Sequence, residues 1–192
     1  MPYDPQKDNA EMLKIYGQEV KPHPALPDRA VLLLRARLVL EEALEFVDAC
    51  GCAAVISDSK VGTIHDRIEV VDIGTEPNLI EYADACGDQL VVTYGALNAA
   101  GIQVEPLWAE ILRSNKSKRW PHCGVCDKEL KVIDGKFFHH ADGPDNGHFI
   151  LAEDVTWRVH KRADGKVLKP PTYSPPDIQT VLVKQIPHLM EK

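Results

Sequence analysis

The sequence predicts a mainly α-helical fold, an antiparallel helical bundle carrying a β-hairpin and a small β-rich insertion. Three observations support that expectation. Two long stretches have helical periodicity with clear end signals, a β-branched run separates them, and beyond Trp120 the residues turn to Gly, Asp, His and aromatics. Asp8 to Tyr16 suits a short helix, broken by Gly17 and the prolines at 22, 24 and 27. Asp28 can cap the next helix, rich in Ala, Leu, Glu and Arg, which runs to about Cys50 before Gly51 ends it. Ala53–Ile56 and Thr63–Val71, parted by Asp58-Ser59-Lys60, read as a hairpin. Pro77 and Asn78 open a third long helix that reaches about Ala100, where Gly101 stops it, and Pro106 begins a fourth that ends near Ser114–Lys118. Alternating stretches at Leu130–Ile133 and Phe149–Val159 predict short strands. A proline-bearing loop, Arg162 to Pro176, then leads to a short helix or extended arm at Ile178–Leu189. These signals divide the chain into a helical core (1–119), a β-rich insertion (120–161), and a closing loop with a C-terminal arm (162–192).

With 44% hydrophobic and 27% charged residues, the 192-residue chain has the composition of a folded globular protein. The apolar run Ala30–Leu40 is broken by Arg35 and Arg37, so no stretch reaches the roughly 18 apolar residues of a membrane span. Met1 to Asp8 lacks a basic start followed by an apolar stretch, so a cytoplasmic location is expected. A net charge of -7 argues against sequence-independent binding to long nucleic acid. The five cysteines fall at 50, 52, 86, 123 and 126, mostly in two close pairs, which suits reduced thiols or a bound metal better than a disulfide framework.

The acidic residues of the two long helices carry the strongest chemical signal. Leu34, Leu38, Glu41, Glu42 and Glu45 follow one helical face, so three acids continue an apolar stripe, while Leu33, Leu40, Leu44 and Val47 form another. On the third helix Glu81, Asp84 and Asp88 run into Val91, Val92 and Gly95 in the same way. The plain alternative is a pair of solvated amphipathic faces. Clustered carboxylates directed toward a core instead repel one another and lose hydration unless cations compensate them. Two such helices packed antiparallel can enclose hard cations, and oxygen-only ligation favours Mg²⁺ or Mn²⁺ over zinc.

Glu41-Glu42-x-x-Glu45 followed by Glu81-x-x-Asp84 resembles the paired motifs of the all-α nucleoside triphosphate pyrophosphohydrolases, the superfamily of MazG, dimeric dUTPases and phosphoribosyl-ATP pyrophosphohydrolase. The context Glu81-Tyr-Ala-Asp84-Ala-Cys-Gly-Asp88, Arg113-Ser114-Asn115-Lys116-Ser117-Lys118 and Asp164-Gly165-Lys166-Val167-Leu168-Lys169 with Tyr173 is similar to MazG-like enzymes of bacteriophages and bacteria, some of which act on deoxynucleoside triphosphates including dGTP. The likeness covers about residues 8–119 and 162–178, with a longer interval than usual between the acidic motifs and an insertion at Trp120–Val159.

The resemblance implies cleavage between the α- and β-phosphates of a (deoxy)nucleoside triphosphate, such as dGTP or GTP, to a monophosphate and pyrophosphate. It implies metal ligation by Glu42, Glu45, Glu81 and Asp84, with Asp88 as a further ligand or supporting acceptor, and Glu41 as the residue that positions or deprotonates the attacking water. It also implies a homodimer or homotetramer. A dUTPase or a phosphoribosyl-ATP pyrophosphohydrolase is the nearest alternative, and a non-catalytic zinc-ribbon interaction module is one of another class.

Arg113, Lys116, Lys118 and Arg119 gather positive charge around Asn115 at a helix end, where cations also complement the helix dipole; Arg113, Asn115 and Lys118 are the candidates for binding phosphate. Lys166, Lys169 and Tyr173 lie on a loop that could close over a nucleotide. Cys123-x-x-Cys126 with His139, His140 and His148 offers ligand types suited to structural Zn²⁺; His122 is a further candidate, and two unligated thiols are the plain alternative. Cys50, Cys52 and Cys86 read as packing residues.

Overall fold

The computed structural model describes residues 4–140, 147–163 and 165–186. It overturns the expectation of a mainly α-helical bundle of the all-α pyrophosphohydrolase type: the described residues are 45% helical and 18% strand, the strands forming three small antiparallel sheets. The reason lies in residues 120–158, where five short strands find antiparallel partners among themselves and the β content exceeds that of a minor insertion. The chain forms two compact units, one running to Val104 and resuming at Leu182, the other Glu105–Val181.

The first unit holds α1 (Pro5–Ile15), α2 (Arg29–Ala49), β1 (Cys52–Ile56), α3 (Ile64–Arg67), β2 (Ile68–Asp72) and α4 (Leu79–Ala99). Asp28 caps α2 by accepting the Val31 N–H at 2.9 Å, and Asn78 caps α4 by accepting from Ile80 at 3.0 Å. The hairpin pairs β1 with β2 from Cys52↔Asp72 to Ile56↔Ile68. The start of its expected second strand is the helical turn α3, because Thr63 and Asp66 bond each other through the Thr63 N–H (3.0 Å) and hydroxyl (2.8 Å). Gly51 follows α2 at φ +72°, and Gly101 follows α4 at φ +68°, both in the left-handed region that ends helices.

α2 and α4 pack antiparallel. Arg35 lies against Gly95, the Phe46 and Tyr82 ring centroids are 4.9 Å apart, and the Asn78 N–H donates to the Ala49 carbonyl at 3.1 Å. Along this seam Ala49, Ala85, Val92 and Ala99 are buried, while Leu33, Leu34, Leu40 and Leu44 are exposed. The inward face of α2 shares Leu38 and Glu42 with the Leu34 stripe but takes in Arg35 and Ala49, while Leu34, Glu41 and Glu45 of that stripe are exposed. α1 is tied to α4 by a buried polar network. Asn98 donates to the Gln6 carbonyl and to Asn9 Oδ1, both at 3.0 Å, and accepts from Gln6 Nε2 at 3.1 Å. Asn9 donates to the Val91 carbonyl at 3.0 Å.

α5 (Val104–Lys116) enters the second unit, followed by β3 (Trp120–Cys123), β4 (Lys131–Ile133), β5 (Lys136–His140), β6 (Gly147–Ile150) and β7 (Val155–Arg158). β3 pairs with β7, and β4-β5-β6 form a separate meander. α6 (Ile178–Val183) occupies the start of the expected C-terminal arm; residues 187–189 of that arm lie outside the described residues. Among the described residues, no helix is long and apolar enough to cross a membrane.

Candidate active site

The antiparallel pairing of α2 and α4 brings the two acidic motifs together. Glu42 is half-buried on the seam; Glu45, Asp88, Glu41 and Asp84, in that order of strength, act on it as like charges. Burial first, then this repulsion, pushes its carboxyl above the ordinary carboxylate value. Its Oε2 is buried and has no hydrogen-bond partner among the described residues. Glu45, Asp48, Glu76, Glu81 and Asp84 line a cavity of about 510 Å³ at the C-terminal end of α2 and the N-terminal end of α4, and none of its lining residues is basic. Asn78 sets the first turn of α4 here, its Oδ1 accepting the Glu81 N–H at 3.5 Å. A buried carboxylate oxygen without a donor, among four acids, fits a hard divalent cation: a cation supplies what no side chain does, and oxygen donors match Mg²⁺ or Mn²⁺. Glu41, Glu45, Glu81, Asp84 and Asp88 are themselves exposed.

The second unit gathers the basic residues around Tyr173. Ser114, buried in α5, donates to the Tyr173 hydroxyl at 3.2 Å, and Lys169 Nζ stands 4.6 Å from the Tyr173 ring centroid. The Ser114 bond, then the charges of Lys169, Lys118 and Arg113, hold the phenol below its ordinary value. Lys118 donates to Asn115 Oδ1 at 2.7 Å. Arg113 forks onto Glu110 with two bonds of 2.8 Å and reaches Ser174 Oγ at 2.8 Å and the Pro175 carbonyl at 2.9 Å, so it fastens the loop to α5. Lys166 sits on the neighbouring turn, where its carbonyl accepts the Arg162 N–H at 2.9 Å.

Two buried residues, one on the α2–α4 seam and one beside Tyr173, escaped the sequence reading. Arg35 is buried, with one donor on Gln18 Oε1 at 2.6 Å, and burial lowers its pKa. An arginine inside an apolar run was the available signal. Ser114 had none beyond its place in a basic motif.

In the same unit the Cys123 and Cys126 sulfurs and His139 Nε2 all lie within 4.8 Å of one another, the one such trio of potential ligands among the described residues. The carboxylates of the helical cavity stand further apart. Backbone N–H groups of Cys126 and then Val125 point at the Cys123 sulfur and hold its thiol below the usual value. His148 lines the same cavity, while His122 is engaged elsewhere, its Nδ1 lying 2.7 Å from the Asp127 carbonyl. The side chain of His140 lies outside the described residues.

No curated protein matches the sequence. A family model described as phosphoribosyl-ATP pyrophosphohydrolase matches residues 10–115, which takes in α2, α4 and every acid of both motifs. That match covers more than half of the chain. The chain belongs to the phosphoribosyl-ATP pyrophosphohydrolase family, within the MazG-like all-α nucleoside triphosphate pyrophosphohydrolase superfamily, and its activity is that of a nucleotide pyrophosphohydrolase, a hydrolase acting on acid anhydrides.

Proposed function

We propose that the chain cleaves the bond between the α- and β-phosphates of a nucleotide, releasing a monophosphate and pyrophosphate, with Mg²⁺ or Mn²⁺ held by Glu42, Glu45, Glu81 and Asp84 and supported by Asp88. The observation that carries this reading is the unpartnered, buried Glu42 oxygen among four like-charged neighbours on the two helices that the family match covers. The cations, when bound, neutralise the triphosphate and acidify a water. Glu41, exposed beside Glu42, accepts the proton of the attacking water. Asn115, Lys118, Lys169 and Tyr173 donate to phosphate oxygens, with Lys166 a further cation on the adjoining turn, and Arg113 keeps Ser174 and Pro175 against α5.

The family description favours phosphoribosyl-ATP as substrate over dGTP or another deoxynucleoside triphosphate, because the match ends at residue 115, before the Asp164–Lys169 motif that pointed to the MazG-like enzymes. The enzyme works in the cytoplasm as a homodimer or homotetramer, and the exposed Leu33, Leu40 and Leu44 give it an apolar face for a second copy.

The test is pyrophosphate release with Mg²⁺ across a panel of phosphoribosyl-ATP, dGTP, GTP and dUTP. Activity on a member of the panel, lost in Glu42→Gln and Glu81→Gln, supports the reading. Absence of pyrophosphate from every member, with Mg²⁺ and with Mn²⁺, rejects it. Preference for phosphoribosyl-ATP supports the substrate assignment, and preference for dGTP rejects it.

A further inference from the structure

The β-rich part of the second unit carries a second convergence of ligand atoms, outside the family match and unused by the pyrophosphohydrolase reading. Cys123 ends β3 and Cys126 stands in the turn that follows. That turn is tight: the Asp127 N–H donates to the Cys123 carbonyl at 2.9 Å, the Cys123 N–H donates to the Lys128 carbonyl at 2.8 Å, and Asp127 adopts φ +56°. Cys126 Sγ lies 3.0 Å from His139 Nε2. His139 on β5 is paired directly with His148 on β6, their ring centroids 5.4 Å apart. Both cysteines and both histidines line one cavity of about 410 Å³, together with Val125, Ile150 and Asp154.

We propose that Cys123, Cys126, His139 and His148 form a tetrahedral structural Zn²⁺ site. Two thiolates and two imidazoles are the donor set that zinc prefers, and zinc ligand atoms lie about 2.0–2.3 Å from the ion, so no two can be more than about 4.6 Å apart. The ligand atoms of Cys123, Cys126 and His139 already lie within 4.8 Å of one another. The bonded Cys126–His139 pair opens by about half an ångström to reach the sulfur–nitrogen edge of a zinc tetrahedron.

The ligands come from two sheets. The cysteines belong to the β3–β7 pair and its turn, and the histidines to the β4-β5-β6 meander. Among the described residues of this unit, Pro121, Cys123, Leu130 and Pro170 are the buried apolar side chains. So small a core, with Phe137 of β5 set edge-on to Trp157 of β7, fastens two sheets weakly, and a metal that takes one pair of ligands from each adds a crosslink.

The experiment uses the full-length chain, expressed with zinc and purified under reductant, and reads metal content by mass spectrometry. One zinc per chain, retained through dialysis in Mg²⁺ buffer, is expected, and its removal by a chelator lowers the melting temperature. Replacement by Co²⁺ gives intense thiolate charge-transfer and tetrahedral visible bands, which an all-oxygen site does not produce. Those bands persist in Glu42→Gln and Glu81→Gln, so the zinc site and the pyrophosphohydrolase reading fail separately. Cys126→Ser and His148→Ala each weaken zinc binding, measured by competition with a chromophoric chelator, by more than about tenfold, since even groups that only orient a ligand are worth that much. Should Cys126→Ser not fold, His148→Ala alone gives the affinity reading. Substoichiometric zinc without thiolate bands, or a Cys123–Cys126 disulfide in place of the metal, overturns the site. Unchanged zinc affinity in His148→Ala overturns the fourth ligand.

Discussion

At Glu42 the strongest electrostatic neighbours are all of one sign, and this sets how the protein responds to pH. A carboxyl whose folded pKa is raised keeps its proton longer in the folded state than in the unfolded chain. Stability of the cation-free protein therefore falls as pH rises, from the ordinary carboxylate value up to the raised value of Glu42. We expect Glu42→Gln to flatten that fall in cation-free melting curves taken from acidic to neutral pH, while abolishing pyrophosphate release. A variant that melts with the wild-type pH profile would show that Glu42 is not the strained group. Glu41 should behave differently: Glu41→Gln lowers kcat by about 10²–10⁴ with little change in cation affinity, as loss of a general base does. An equal loss of affinity would make it a ligand instead. The seam position of Glu42 was legible in the sequence, because its spacing follows one helical face, whereas Glu41 of the same stripe is exposed. Burial of Arg35 was not legible, since which side of α2 faces inward depends on how α4 seats against it.

Among the elements, helix ends hold the acidic motifs in place. Gly51 turns the chain out of α2 at a left-handed φ, and an added Cβ would overlap the Thr75 carbonyl oxygen. Gly51→Ala should cost about 1–2 kcal/mol for the backbone conformation alone, and more for the overlap, measured by denaturant unfolding. A neutral result would mean that the segment after α2 relaxes freely. Asn98→Ala strips partners from Gln6 and Asn9 inside the α1–α4 contact and should cost about 1–3 kcal/mol. At this scale the long helices and the hairpin were readable from caps, periodicity and turn residues, Asp28, Asn78 and Gly101 among them. Strand pairing beyond Trp120 was not. His139 meets His148, and Cys123 meets Val155, through partners chosen across the sheets, and short strands with mixed side chains carry little sign of which neighbour they will take.

For the whole molecule, the proposed cation binding ties occupancy to stability in one equilibrium. Divalent ions that bind the folded chain at a hundred times their Kd add about 2.7 kcal/mol. Mn²⁺ should therefore raise the melting temperature of the wild type and leave Glu81→Gln almost unmoved in calorimetry. An equal rise in both would place the ion away from α4. Meanwhile the hydrogen bond from Asn78 to the Ala49 carbonyl brings the chain back, after the β1–β2 excursion, to the point where it left α2. The excursion is a closed detour, so its length is uncoupled from the spacing of the carboxylates. Evolution can extend or trim residues between the acidic motifs without disturbing the way their carboxylates face one another, and a search for distant relatives gains by leaving that gap unconstrained.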